Sequence, residues 1–288
     1  MNHREISLIT QNAGGSTLTR VGREANLNAI SKQLRSDLNV QIKSFAQLKV
    51  SHLERLVIHW QGQGLSTRSM QNKMAHIRAA LTEVGRDKFA ADARVSNKGL
   101  GISGASRSGT HQSPGRTEIE KRISGMAVGP AATARLQLEL GLRAREAIQS
   151  VQSLSTWQRE LSKTGLITVV HGTKGGKARV VDLRDPEAKE KAREAIRTAQ
   201  EVARDAKGKL ITSETLQGAA RAYQRAMAEA GFIGAEASHS LRCQFAQEQY
   251  ERHLDTTGER SEALSKLSLD LGHGDGRGRY CAHVYLSK

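Results

Sequence analysis

Hydrophobic positions recur along the first third of the chain at helical spacing. Leu27, Ile30, Leu34 and Leu38 form one stripe, and Leu53, Leu56, Val57 and Trp60 form a second, each spaced as one face of an α-helix requires. A third, Met70, Met74, Ile77 and Leu81, follows the Gly62 to Gly64 break, with Ser66 placed to cap it. Arg68, Lys73 and Arg78 then fall off that stripe, open to solvent or phosphate. Between Asn97 and Gly115 the periodicity stops in a Gly- and Ser-rich run, which marks a boundary between compact units. Beyond it, 116–126 and 131–151 read as helices. The period then changes to two in 166–171 and 178–183, β-branched runs joined by Gly172-Thr173-Lys174-Gly175-Gly176-Lys177, a hairpin signal. Helices resume over 189–206, from a cap at Ser213 to Ala230, and from about Ser238. The expected fold is mainly α with one small β-hairpin, an α+β chain of two units: 1–110, a linker at 111–115, and 116–288. Strands and helices do not alternate as a dinucleotide-binding sheet demands, and GxGxxG and Walker patterns are missing.

Charge narrows the partner. The 288 residues carry 44 Lys plus Arg and a formal net charge of +15, spread along the chain rather than gathered in a tail. A long polyanion fits that distribution, with counterion release supplying much of the affinity. A membrane binder would show one strongly amphipathic basic helix, and none is apparent. Taken alone, the charge is also compatible with a merely soluble basic protein. Cys243 and Cys281 have no paired or metal-ligand spacing, no signal-length apolar core opens the chain, and no eighteen apolar residues run together. A soluble protein of a reducing cytoplasm is expected.

Four segments bring chemistry. In Gly141-Leu142-Arg143-Ala144-Arg145-Glu146, Arg143 and Glu146 are three apart, so the carboxylate can orient a guanidinium toward a phosphate oxygen; by itself this is an ordinary intrahelical ion pair. The hairpin tip projects Lys174 on a Gly-rich turn flanked by Lys177 and Arg179, which join Arg68, Lys73 and Arg78 as candidate DNA contacts; an ammonium there can serve as general acid, although most basic turns are only turns. Ser238-His239-Ser240-Leu241-Arg242 opens a helix so that His239 and Arg242 share a face near its N-terminus. The C-terminal stretch runs from Leu271-Gly272-His273 through Tyr280 to Val284-Tyr285-Leu286. A phenol attacks a phosphodiester when cations stabilise the developing charge, although a single tyrosine is ordinarily an amphipathic residue at a core edge.

GLRxxE, the Lys hairpin, HxLR and LGH with a late tyrosine, in that order, resemble the tyrosine recombinase (phage integrase) family over about residues 116–288, and especially integrases of phages and genomic islands. The helical first part is similar in kind to that family's core-binding, DNA-binding domain. The resemblance implies a site-specific recombinase that cleaves and rejoins DNA through a 3′-phosphotyrosyl intermediate, integrating or excising a mobile genetic element without metal or cofactor. It makes Arg143 and Arg242 the clamp on the non-bridging oxygens and Lys174 the acid for the leaving 5′ oxygen. His239 and His273 assist proton transfer, and Tyr285 is the nucleophile. The Gly-Leu-Arg frame favours Arg143 over Arg145. The family usually places its tyrosine nine residues after the LGH histidine, where this chain has Ala282; Tyr280 lies seven after and Tyr285 twelve after. The apolar flank of Tyr285 and the Gly276 to Gly278 insertion favour Tyr285. Implied partners are double-stranded DNA clamped between the two units, a homotetramer on two sites, and directionality or host DNA-bending factors, in a nucleoid-associated setting. Only three residues follow Tyr285, so a tail exchanged between protomers is expected to be very short. Competing functions are a type IB topoisomerase and a catalytically silent DNA-binding regulator of the same fold.

Overall fold

The computed structural model describes residues 3–106 and 108–286. The chain divides into two compact units, Met1–Ser106 and Arg107–Lys288, and is mainly helical with one antiparallel hairpin.

The first unit holds α1 (His3–Asn12), α2 (Thr17–Lys32), α3 (Val50–Gly62), α4 (Thr67–Glu83) and the single turn α5 (Asp87–Ala90). Its core is built from the three stripes: Leu27, Ile30, Leu34, Leu53, Trp60, Met74 and Ile77 are all fully buried. A solvent-facing arc on each helix and a shared apolar interior are what the period of 3.6 produces. Ser66 caps α4, its hydroxyl accepting the Ser69 amide at 3.2 Å. Leu100 and Ile102 join this core, so the start of the Gly- and Ser-rich run is packed rather than a bare connection. Arg78 departs from the expected open position. Its guanidinium donates to the Val95 carbonyl at 3.0 Å and to Asn97 Oδ1 at 3.1 Å, because α4 faces that loop and its carbonyls need donors. Arg68 is exposed, and the Lys73 ammonium lies 5.5 Å from the centre of the Trp60 ring.

The second unit is organised around α7 (Val128–Leu140), which is apolar on nearly every side and is therefore buried. One side, through Ile119, Leu138, Tyr223 and Leu241, packs with α6 (Arg116–Ser124) and α11 (Leu216–Glu229). The other, through Leu136 and Leu140, joins a larger core. That core takes in α8 (Ala144–Ile148), α9 (Leu154–Thr164), β1 (Leu166–Val169), β2 (Arg179–Asp182), α10 (Pro186–Asp205), α12 (His239–Thr257), α13 (Arg260–Asp270) and α14 (Gly278–Cys281). A π-helical turn, Ala282–Leu286, continues α14. The two strands pair with Leu166 opposite Asp182 and Val169 opposite Arg179.

Two expectations are revised. The helix read over 131–151 breaks after Leu140: Gly141 is left-handed (φ 59°, ψ 31°) and Arg143 is extended, so α8 starts afresh. Thr215 rather than Ser213 caps α11, accepting the Gly218 amide at 3.0 Å.

Gly141→Ala is expected to lower stability by on the order of 2 kcal/mol or more, since a β-carbon there needs a strained φ and would overlap the Phe245 ring. Trp157 fluorescence during urea unfolding, in a Trp60→Phe background, isolates the transition of the second unit.

Candidate active site

The break at Gly141 is what builds the site. Arg143 stands at the N-cap of α8, and its amide donates to Glu146 Oε2 at 2.8 Å while its guanidinium donates to Oε1 at 2.7 Å. The pair expected within one helix thus forms across a helix start, which leaves the arginine's fork outside the helix barrel. Glu146 is almost completely buried, and a second cation, Arg179, meets the same Oε1 at 2.9 Å. Arg179 also donates to the Asp270 carbonyl at 2.8 Å and the Gly141 carbonyl at 3.2 Å. Arg242 on α12 has no exposed surface, and donates to the Gly141 and Leu271 carbonyls. Arg143 reaches Leu271 as well, at 3.3 Å.

Three guanidinium groups therefore surround one carboxylate. Burial pushes the Glu146 carboxyl upward, but Arg179, Arg242 and Arg143 outweigh it and hold the group below its ordinary value. Burial and the neighbouring Arg242 bring Arg179 down to about 10, so it stays charged at neutral pH. The excess positive charge, held in a low-dielectric setting, favours an anion at the adjoining surface.

That surface is a cavity of about 770 Å³ lined by Arg143, Lys174, Lys177, His239, His273, Tyr280 and Tyr285, among others. Lys174 and Lys177 are exposed on the hairpin tip, where Gly175 and Gly176 take positive φ. Tyr285, carried by the terminal π-helical turn, is only 5% exposed. Its hydroxyl lies 3.1 Å from His273 Nε2, and its ring centre is 5.8 Å from those of both His273 and His239. Tyr280 is 39% exposed, with its ring 5.0 Å from that of His273. Burial, then Arg242, lowers His239 to about 3 and His273 to about 4. Both imidazoles are neutral near pH 7, so each offers one N–H and one lone pair to the groups it faces.

Arg143, Lys174, His239, His273 and Tyr285 thus meet at one cavity, while Arg242 lies beneath it with its Cζ 6.0 Å from the Tyr285 ring centre. Arg145 is exposed and does not line the cavity. Arg179, expected as a DNA contact, is mostly buried beside Glu146 and reaches the cavity wall only with a small part of its surface. The signal was in the strand alternation. Arg179, Val181 and Leu183 share a parity, and the latter two are fully buried, so the arginine points inward with them. His111 was missed; its ring centre is 5.1 Å from that of His239, and nothing in its local pattern marks it.

The integrase family model matches residues 101–248 and the model for the phage integrase N-terminal region matches 2–90. No curated protein matches the sequence. Among solved structures, the Tn1549 transposon integrase in complex with transposon right end DNA is 13% identical, with a TM-score of 0.57 over 96% of this chain and 93% of that one. The same integrase in complex with circular intermediate DNA is 14% identical, with a TM-score of 0.57 over 97% and 94%. The chain belongs to the phage integrase family of tyrosine recombinases and is a tyrosine-type site-specific DNA recombinase. His273 and Tyr285 lie beyond the matched span.

Glu146→Ala is expected to cost about 3–5 kcal/mol, since it leaves Arg179 buried without its counter-charge; urea unfolding measures it. The two depressed histidines bind protons more readily unfolded than folded, so stability is full above the unfolded value near 6.5 and declines as pH falls toward 4. The thermal midpoint should therefore drop between about pH 7 and about pH 5, and His239→Gln should flatten that drop.

Proposed function

We propose that Arg143, Lys174, His239, Arg242, His273 and Tyr285 carry the strand cleavage and rejoining, with residues 107–288 as the catalytic unit and 1–106 as the core-binding one. The Tyr285 oxygen attacks the scissile phosphorus and its proton passes to neutral His273. The bond from phosphorus to the 5′ oxygen breaks, Lys174 protonates that oxygen, and a 3′-phosphotyrosyl bond forms. Attack by a 5′ hydroxyl of the exchanging strand reverses these steps, so the energy of the broken linkage is retained. Arg143 holds a non-bridging oxygen directly. Arg242 acts from below through its charge, and His239 supports the phosphate as a neutral donor. The observation that carries the assignment of the nucleophile is the 3.1 Å approach of the Tyr285 hydroxyl to His273 on the wall of a cationic cavity. Tyr280, more exposed and nearer the rim by that measure, is the weaker candidate.

Double-stranded DNA is the proposed partner, with Arg68, Lys73, Lys177 and Lys174 facing its phosphates. The net charge of +15 supports this, as does the DNA held by the structurally similar transposon integrase. Four protomers on two sites, with directionality or DNA-bending factors, complete the proposed assembly. The proposed setting is the cytoplasm, on DNA; no helix among the described residues is long and apolar enough to cross a membrane.

The test is a pool of nicked duplexes of randomised sequence, with protein–DNA adducts read on denaturing gels. Adduct formation should fall at least about a thousandfold in Tyr285→Phe and persist in Tyr280→Phe; the reverse result sinks the assignment. Arg143→Ala should lose about 10²–10³-fold in cleavage rate. Arg68→Ala or Lys73→Ala should instead weaken binding to all duplexes and reduce the salt slope by about one each, as titrations at several salt concentrations will read.

A further inference from the structure

The chain just ahead of α6 lies across the elements that carry the cavity. The Ser108 hydroxyl is 3.0 Å from His283 Nε2, and the Gly109 amide donates to the His283 carbonyl at 3.5 Å. A β-carbon on Gly109 would overlap the Val284 carbonyl, so the backbone runs directly on the turn that bears Tyr285. Further on, the Gln112 amide donates to the Ala235 carbonyl at 2.8 Å, and the Ser113 hydroxyl donates to Gln244 Oε1 on α12. Between these anchors His111 is held with its ring at 59° to that of His239 and the centres 5.1 Å apart. Its Nδ1 is buried and has no hydrogen-bond partner among the described residues, and the ring is outside the cavity lining. A buried polar atom without a partner carries a cost. It is retained here where the ring supports a neighbour that lines the cavity.

We propose that residues 108–113 form a strap that positions the reacting groups, with His111 as the positioning residue for His239 and Gly109 as the seat for the Tyr285 turn. The inference rests on the proposed roles of Tyr285 and His239. His111 touches no reacting atom. It acts by closing the back of the His239 ring, whose other tilted ring contact is Tyr285 itself, at 5.8 Å. A strap that touches both the imidazole and the turn of the phenol fixes their separation, and errors of about 1 Å in such a separation cost up to about a hundredfold in rate.

The experiment measures single-turnover adduct formation at saturating DNA, on nicked duplexes recovered from the randomised pool, together with DNA affinity and thermal midpoint. His111→Ala should slow the adduct about tenfold with affinity unchanged. His111→Phe, which restores a flat ring without nitrogens, should recover most of the rate. Gly109→Ala, which lifts the strap while keeping His111, should reproduce the loss; should His111→Ala fail to fold, this variant and His111→Phe decide. A wild-type rate in His111→Ala or Gly109→Ala overturns the proposal. So does a loss confined to DNA affinity, or an absence of rescue by His111→Phe. Tyr285→Phe in the same assay keeps the readings apart. An adduct that survives it removes the nucleophile assignment, and with it the strap's function; a lost adduct beside a wild-type rate in His111→Ala removes the strap alone.

Discussion

The second unit depends on one buried carboxylate. Glu146 has its two oxygens divided between the amide and guanidinium of Arg143 and the guanidinium of Arg179. Three arginines in so small a volume would repel one another strongly in a low-dielectric interior. Glu146 neutralises one charge and leaves the remainder as a field directed at the cavity. The same group therefore makes the cluster tolerable to the fold and keeps it attractive to an anion. Its position is fixed by Gly141, whose left-handed backbone ends α7 and lets α8 begin with Arg143 at its cap.

Around this centre the two faces of α7 divide the labour of packing. One holds α6 and α11, the other the hairpin, α12 with His239 and Arg242, and α13, which the turn bearing His273 follows. Gln137 links the two, donating to the Leu142 carbonyl at 3.1 Å and accepting the Tyr223 hydroxyl at 2.7 Å. Polar groups inside a helix of this kind persist because each donor meets an acceptor. The GLR segment is thereby tied to the far core as well as to the near one.

Periodicity made the helices and the hairpin legible in the sequence, and the order of GLRxxE, Lys hairpin, HxLR and LGH made the family so. Local pattern cannot report what happens when separate segments meet. Arg143 and Glu146 read as one helix face because nothing within 131–151 except Gly141 announces a break, and a lone glycine is compatible with a helix interior. Arg179 read as a tip residue because its neighbours are Lys174 and Lys177, although its parity with Val181 already pointed it inward. Arg242 read as a phosphate clamp, and its burial follows from α12 packing on α7, a contact between residues about a hundred positions apart. His111 lay in a stretch without period, where sequence offers composition but no geometry.

The arginine cluster is held largely by main-chain oxygens: Gly141 accepts from Arg179 and Arg242, Leu271 from Arg143 and Arg242, and Asp270 from Arg179. Carbonyls do not change when side chains do. Inserting or deleting one residue at 270 or 271 would rotate the Asp270 and Leu271 acceptors away together, and Asp270 is fixed by its carboxylate as well, which accepts from the Asp182 amide at 2.9 Å and from Gln249 at 3.0 Å. The site is thus sensitive to chain length, and related chains should keep the number of residues on either side of these carbonyls.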